Sequence, residues 1–251
     1  MDEQTHGPWH EQDAFWQTFE SVIFDKERLD LAPSEVEDIV RLLALEPGQK
    51  ICDLCCGVGR HSAELARRGF AVTAVDRTRR YLESARGRAR DGGPDIEFVR
   101  EDMRDFCRPD SFDAVLNLFT SFGYFGARAD DRRVVENAHR SLRPGGPFLI
   151  DVIGKEIIAR IFQPRNWHPT ADGFVLYERK VADNWSQIEN RWILIEDGRQ
   201  REWNFSHRVY SATELCTPLK DSGFRKVQAC GDLDGAPYDE KAERLVVVGY
   251  K

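Results

Sequence analysis

The chain has 251 residues, 41% of them hydrophobic and 31% charged, a balance that suits a folded globular protein with a full core. A formal net charge of -7 argues against broad electrostatic attraction to nucleic acid. No apolar run approaches the roughly 18 to 20 residues needed to span a bilayer, and the acidic, aromatic start MDEQTHGPWHEQDAFW does not resemble a signal peptide, so a cytoplasmic location is expected by default.

The first predicted element lies in DAFWQTF, where Phe15, Trp16 and Phe19 offer an apolar face. They read either as a lid over a site or as a simple attachment of the N-terminus to the core. Residues 33–45, PSEVEDIVRLLAL, predict an amphipathic helix with Pro33 in the first position and Val36, Ile39, Val40 and Leu43 on its stripe. Pro47-Gly48 then breaks the chain.

A strict alternation follows. KICDL, AVTAVD, DIEFV, FDAVLNL and PFLIDV read as strands. GRHSAELARRG, RRYLESARGRA and DDRRVVENAHRSL read as the intervening helices, with a loop carrying EDMRDF after the third strand. Strand–helix repetition predicts an α/β fold, a doubly wound and mostly parallel Rossmann-like sheet, because each parallel step needs a crossover. The basic run from Arg77 to Arg90 places Arg79, Arg86 and Arg90 on one helix side with Glu83 among them. It reads as a solvated face rather than an RNA contact.

After Val152 the pattern changes. KEIIARIF predicts a short helix, QPRNWHPTADG a loop, and three alternating segments the strands of an antiparallel β insertion over residues 153–210. Asp197-Gly198 marks a tight hairpin turn. SATELCTPLKDSG returns to helix, with capping-box spacing between Ser211 and Glu214, a stop at Gly223, and a kink or early break expected at Pro218. Two further strands, FRKVQAC and RLVVVGYK, end the chain. The expected organisation is an N-terminal helical lid over 1–48, a ligand-binding unit from 49–152 and 211–251, and the insertion between them.

The stretch ICDLCCGVGRHSAEL raises three chemistries. Cys52, Cys55 and Cys56 lack the second paired unit of a structural zinc site, and Cys107, Cys216 and Cys230 are scattered, so no metal is expected. Gly57, Gly59 and Ser62, with Asp76 ending the next strand, nearly match a dinucleotide fingerprint. S-adenosylmethionine makes a different demand: a glycine turn for close backbone approach and an acid, Asp53, for a cationic amino group.

The chain resembles the class I S-adenosylmethionine-dependent methyltransferases over residues 50–251, through ICDLCCGVGR, AVTAVD, REDMRDF, FDAVLNLFTSFGYF and LRPGGPFLIDV in order. SFGYF and the β insertion are similar to a bacterial small-molecule subgroup that includes amino-sugar N-methyltransferases. The resemblance implies S-adenosylmethionine as cofactor, with Asp53, Gly57 and Gly59 around its methionine part and Cys55 lining the turn. It implies Asp76 on the ribose hydroxyls, Asp102 on the adenine amino group and Met103 beside the ring. Asn117, Leu118 and Phe119, at the end of strand four where open α/β sheets bind ligands, are counted with the cofactor residues. Arg77 stands where this family is often apolar, and it is grouped with the cofactor residues. Residues before the first strand often cover the site in this family, which favours the lid.

For catalysis, in-line methyl transfer needs chiefly proximity and alignment. His61, Ser121 and Tyr124 are the candidates near the reacting group. His61 reads equally as a helix-surface histidine. Trp16, Tyr124, His168, Arg208 and Tyr210 are candidates for substrate binding. Arg208 and Tyr210 alternate onto a polar face with Glu202 and Asn204, where Arg208 would hold an anionic group or form a surface ion pair. His207 belongs with Trp203, Phe205 and Val209 on the packed face. The expected partner is a small-molecule methyl acceptor at N or O; the sequence sets no oligomeric state. The other readings are an RNA methyltransferase, a non-catalytic binder of the cofactor, and a nicotinamide-dependent oxidoreductase.

Overall fold

A computed structural model describes residues 7–89 and 96–251. After a 3-10 turn at Trp9–Glu11 come three short helices, α1 (Asp13–Thr18), α2 (Glu20–Ile23) and α3 (Lys26–Asp30), and the amphipathic α4 (Ala32–Leu43). The alternating part runs β1 (Lys50–Leu54), α5 (Arg60–Arg67), β2 (Ala71–Asp76), α6 (Arg79–Ala89), β3 (Ile96–Arg100), β4 (Ala114–Asn117), α7 (Arg128–Ser141) and β5 (Pro147–Val152). Helix α8 (Lys155–Ile161) leads into β6 (Arg165–Thr170), β7 (Gly173–Ala182), β8 (Gln187–Glu196) and β9 (Arg199–Arg208). Helix α9 (Ala212–Asp221), β10 (Arg225–Cys230) and β11 (Leu245–Tyr250) complete the chain.

The main sheet has the order β3-β2-β1-β4-β5-β11-β10. Strands β1 to β5 pair in parallel, whereas β11 runs antiparallel to both β5 and β10. This is the doubly wound, mostly parallel sheet that the alternation predicts. Its central strands β1, β2, β4, β5 and β11 are buried on both faces. Cys52, Val115 and Ile150 pack toward α7 and α9, while Ile51, Ala114 and Leu149 pack toward α4 and α5. Cys52 and Cys56 therefore sit in different layers. The chain leaves β1 for β2 on one side and reaches β4 on the other, so a crevice opens at the carboxyl ends of β1 and β4.

The insertion is a four-stranded antiparallel sheet in the order β6-β7-β8-β9. Asp197 and Gly198 both have positive φ, 51° and 70°, as the predicted hairpin turn requires. The segment expected as a loop contributes β6 at the sheet edge, paired with β7 from Arg165↔Glu178 to Thr170↔Gly173. Pro169 is tolerated there because an edge strand has an unpaired side. The capping box of Ser211 and Glu214 forms, but α9 runs unbroken through Pro218. Buried Leu215 and Leu219, on either side of the proline, hold the helix on the sheet.

Phe15 and Phe19 do not face the crevice. They pack with Val175, Leu194 and the rings of Trp192 and Phe205 from the insertion. On α6, Arg79 pairs with Glu83 at 2.8 Å and Arg86 lies over Phe98. The predicted companion Arg90 lies outside the described residues. Among the described residues, no helix is long and apolar enough to cross a membrane.

Candidate active site

A cavity with about 880 Å³ of free space, open solvent at its mouth included, occupies the crevice. The sheet supplies Asp53, Cys55, Gly57, Asp76, Arg77, Asp102, Met103, Leu118 and Phe119 to its wall. His61, Ser121, Tyr124 and Trp16 line it as well.

The loop after β1 is hung from β2. Cys55 and Cys56 both donate backbone N–H groups to the Val75 carbonyl, at 2.8 and 3.0 Å. Cys55 has φ 69° and Gly57 φ 55°. A Cβ on Gly57 would stand 2.7 Å from the Phe24 ring, so glycine is required by conformation and by space. Gly59 serves packing instead: its missing Cβ would lie 2.7 Å from Ala85, so it lets α5 approach α6, and it does not line the cavity.

Three carboxylates mark successive strand ends. Asp53 accepts from the Ser62 hydroxyl on α5, and burial pushes its carboxyl up from the ordinary range. Asp76 accepts from Gly57 N–H at 2.9 Å and Thr78 N–H at 2.7 Å, so it ties the glycine loop to the start of α6. Burial raises its pKa too. It does not act as the helix cap, because Thr78 takes that place through its carbonyl bond to Leu82 N–H. Asp102 behaves oppositely. Burial alone would raise it, but three bonds from Arg104 hold it below the usual carboxylate range.

The N-terminal segment closes over these strand ends. Arg77, part of the cavity wall, donates to the carbonyls of His10 and Glu11, at 2.9 and 2.8 Å, so its guanidinium fastens the segment there. Arg104 reaches Glu11 Oε1 at 2.6 Å, and the Tyr81 hydroxyl donates to the Trp16 carbonyl at 2.8 Å. The Trp9 indole N–H bonds the Ser206 carbonyl of the insertion. Sequence reasoning missed Tyr81, Arg104 and His10, whose neighbours come from distant parts of the chain.

At the other end, Glu35 of α4 bonds Arg60 and, at 2.8 Å, His61 Nε2. His61 is thus buried in an ionic cluster that also lines the cavity, not exposed on the helix surface. Burial opposes ionisation of Glu35, yet His61 and Arg60 bring its carboxyl down to about 2, against an ordinary 4.5. A depressed carboxylate contributes stability that is present above pH 4.5 and is lost as pH falls toward 2. Urea unfolding at pH 6 and pH 3 should therefore show the wild-type advantage over Glu35→Gln shrinking at the lower pH.

Four remaining candidates lie elsewhere. Asn117 is fully buried behind the wall and donates to the Leu54 carbonyl at 3.1 Å. His168 is exposed on β6. Arg208 and Tyr210 are not on an open polar face. The Tyr210 hydroxyl donates to Asp131 Oδ2 at 2.6 Å, Arg208 Nε lies 3.5 Å from the same oxygen, and Arg208 N–H bonds the Gly123 carbonyl. They join the insertion to α7 and the loop after β4. His207 packs inside the insertion, where burial lowers its pKa to about 4.

The donor set fits S-adenosylmethionine. An acid, Asp53, already occupies the start of α5 through Ser62, a place where a pyrophosphate would need helix N–H groups and positive charge. The spare lone pairs of Asp76 and Asp102 suit ribose hydroxyls and an adenine amino group. Gly57 lines the cavity beside the Phe24 ring, which fills the space its missing Cβ leaves.

Comparison with known proteins agrees. Residues 51–146 match the methyltransferase domain family model. The Bacillus subtilis protein YqeM, named as a methyltransferase, is 27% identical over 78% of this chain and 81% of its own. The ubiquinone biosynthesis O-methyltransferase of Xanthomonas euvesicatoria pv. vesicatoria is 28% identical over 74% of this chain and 80% of its own. The solved structure of CalS10, an amino pentose methyltransferase from Micromonospora echinaspora, superposes with a TM-score of 0.64 at 20% identity, over 94% of this chain and 96% of that one. The chain has the fold of the class I S-adenosylmethionine-dependent methyltransferases, with an antiparallel sheet inserted after the fifth strand.

Proposed function

We propose that the protein transfers a methyl group from S-adenosylmethionine to a nitrogen or oxygen of a small molecule. The observation that carries this reading is one cavity uniting the glycine loop, three strand-end carboxylates and a wall of Trp16, Tyr81 and Tyr124. When bound, S-adenosylmethionine supplies an electrophilic methyl carbon on an already activated leaving group.

The residues then have mainly to align and to exclude water. Asp53 serves the methionine amino group and Asp76 the ribose. Tyr124, whose phenol is raised by burial, and Ser121 stand just past β4 on the acceptor's side. A protonated phenol at neutral pH orients the nucleophile by hydrogen bonding and does not remove its proton. His61, held at Nε2 by Glu35, is the imidazole at the methionine end. The N-terminal segment and the insertion, joined through Trp9 and Phe15, shape the acceptor site. The net charge of -7 favours a small acceptor over RNA.

Calorimetry with S-adenosylhomocysteine tests the cofactor assignment, and binding in the micromolar range is expected. A metabolite panel read by homocysteine release then identifies the acceptor. Tight binding of NADH with none of adenosylhomocysteine would reverse the reading.

A further inference from the structure

His10 sits in the cavity wall at 5% exposure. Among the described residues, only its backbone carbonyl is hydrogen-bonded, by Arg77 and by the Trp16 indole. Its ring stands edge-on to Phe125, with centroids 5.1 Å apart, and its ring nitrogens have no protein partner among those residues. The residue lines the cavity, so its unpartnered ring nitrogens are available to a ligand there.

The surroundings indicate which part of the ligand does so. The charges of Glu11, Arg104, Asp102 and Arg77 act on the His10 ring, and Arg77, Asp102 and His10 share the cavity wall. Arg77 follows β2, and Asp102 and Arg104 follow β3, so this is the nucleoside end of the cavity. Asp53 and Phe119, at the ends of β1 and β4, mark the methionine end. Burial lowers the His10 pKa, which leaves a neutral imidazole with one N–H donor and one lone-pair acceptor. Adenine presents an amino donor beside ring-nitrogen acceptors. Asp102 can accept from the amino group, but a carboxylate cannot donate to a ring nitrogen.

We propose that His10 is a cofactor-binding residue that hydrogen-bonds the adenine edge from the N-terminal segment and completes, with Asp102, the nucleobase subsite. This rests on S-adenosylmethionine being the ligand of the cavity. Because Arg77 and Arg104 fasten the same segment, filling this subsite also favours its docked position.

The test compares S-adenosylhomocysteine with S-inosylhomocysteine, whose base edge has reversed polarity, by calorimetry on the full chain. The wild type should prefer the adenosyl form. His10→Phe should weaken adenosylhomocysteine binding about tenfold, the worth of one hydrogen bond, and His10→Asn should recover part of it. Unchanged adenosylhomocysteine affinity together with unchanged turnover in His10→Phe overturns the proposal. So does lower turnover with unaltered adenosylhomocysteine affinity, which would place His10 on the acceptor. If wild type binds neither compound, the cofactor assignment fails along with it. If His10→Phe does not fold, the wild-type imidazole ¹⁵N resonances decide: movement of the His10 signals on adding adenosylhomocysteine supports the contact, and fixed signals refute it.

Discussion

Replacing Asp76 with alanine is expected to weaken S-adenosylhomocysteine binding by about 100-fold or more. Its carboxylate has two duties at once. It accepts from Gly57 N–H and Thr78 N–H, which fixes the glycine loop against β2, and its remaining lone pairs face the cavity where ribose hydroxyls are expected. Hydrogen bonds to a charged group contribute about 1.5 to 3 kcal/mol each, so losing the ribose pair alone accounts for the expected factor. Asp76→Asn retains one acceptor oxygen and should fall between the two. Titration calorimetry, with far-UV circular dichroism to show that the fold persists, measures both. An Asp76→Ala protein that binds within threefold of wild type would remove Asp76 from the cofactor site.

The second large effect concerns stability. Asp131→Ala should destabilise the chain by about 3 kcal/mol, because it leaves the Arg208 guanidinium buried without its counter-charge. Asp131 is 2% exposed and Arg208 7%, and Tyr210 donates to the same carboxylate. Burial pushes the Asp131 carboxyl up to about 6, the mark of an acid held with imperfect compensation. A raised folded-state pKa means that this group favours the fold most below pH 4 and loses that contribution as pH rises through 6. Adding Arg208→Met to Asp131→Ala should restore part of the loss, since the uncompensated charge is then gone. Urea denaturation of the two single variants and the double variant yields the coupling. A single-variant loss below about 0.5 kcal/mol would show that the joint tolerates the unpaired arginine.

These two sites differ in how far the sequence disclosed them. Asp76 was legible because strand β2 ends on it, one helix after a glycine turn, and chain order alone fixes that geometry. Arg208 was legible only in half. Strand alternation correctly set Arg208 and Tyr210 on the face opposite His207, together with Glu202 and Asn204. That face passes from solvent to interior within a few residues, because the end of β9 runs beneath the Gly123 loop. Period two tells which residues share a face, not what will cover it.

The N-terminal aromatics teach the same lesson on a helix. Phe15 and Phe19, four residues apart, share one stripe and pack on the insertion. Trp16, one residue on and about 100° round, faces the cavity instead. The edge strand β6 escaped notice because an exposed, proline-bearing segment carries little hydrophobic pattern, and its partner β7 supplies the register.

By itself, the sequence determined the parallel sheet, the glycine loop and the acids at successive strand ends. Those features follow from local periodicity, turn chemistry and chain order. Only the tertiary structure decided that Arg77 and Arg104 fasten the N-terminal segment, that His61 is buried against Glu35, and that His10 enters the cavity. Each depends on side chains brought together from tens of residues apart, and burial then alters their chemistry. Neither the contacts nor the desolvation is written in any local stretch of the chain.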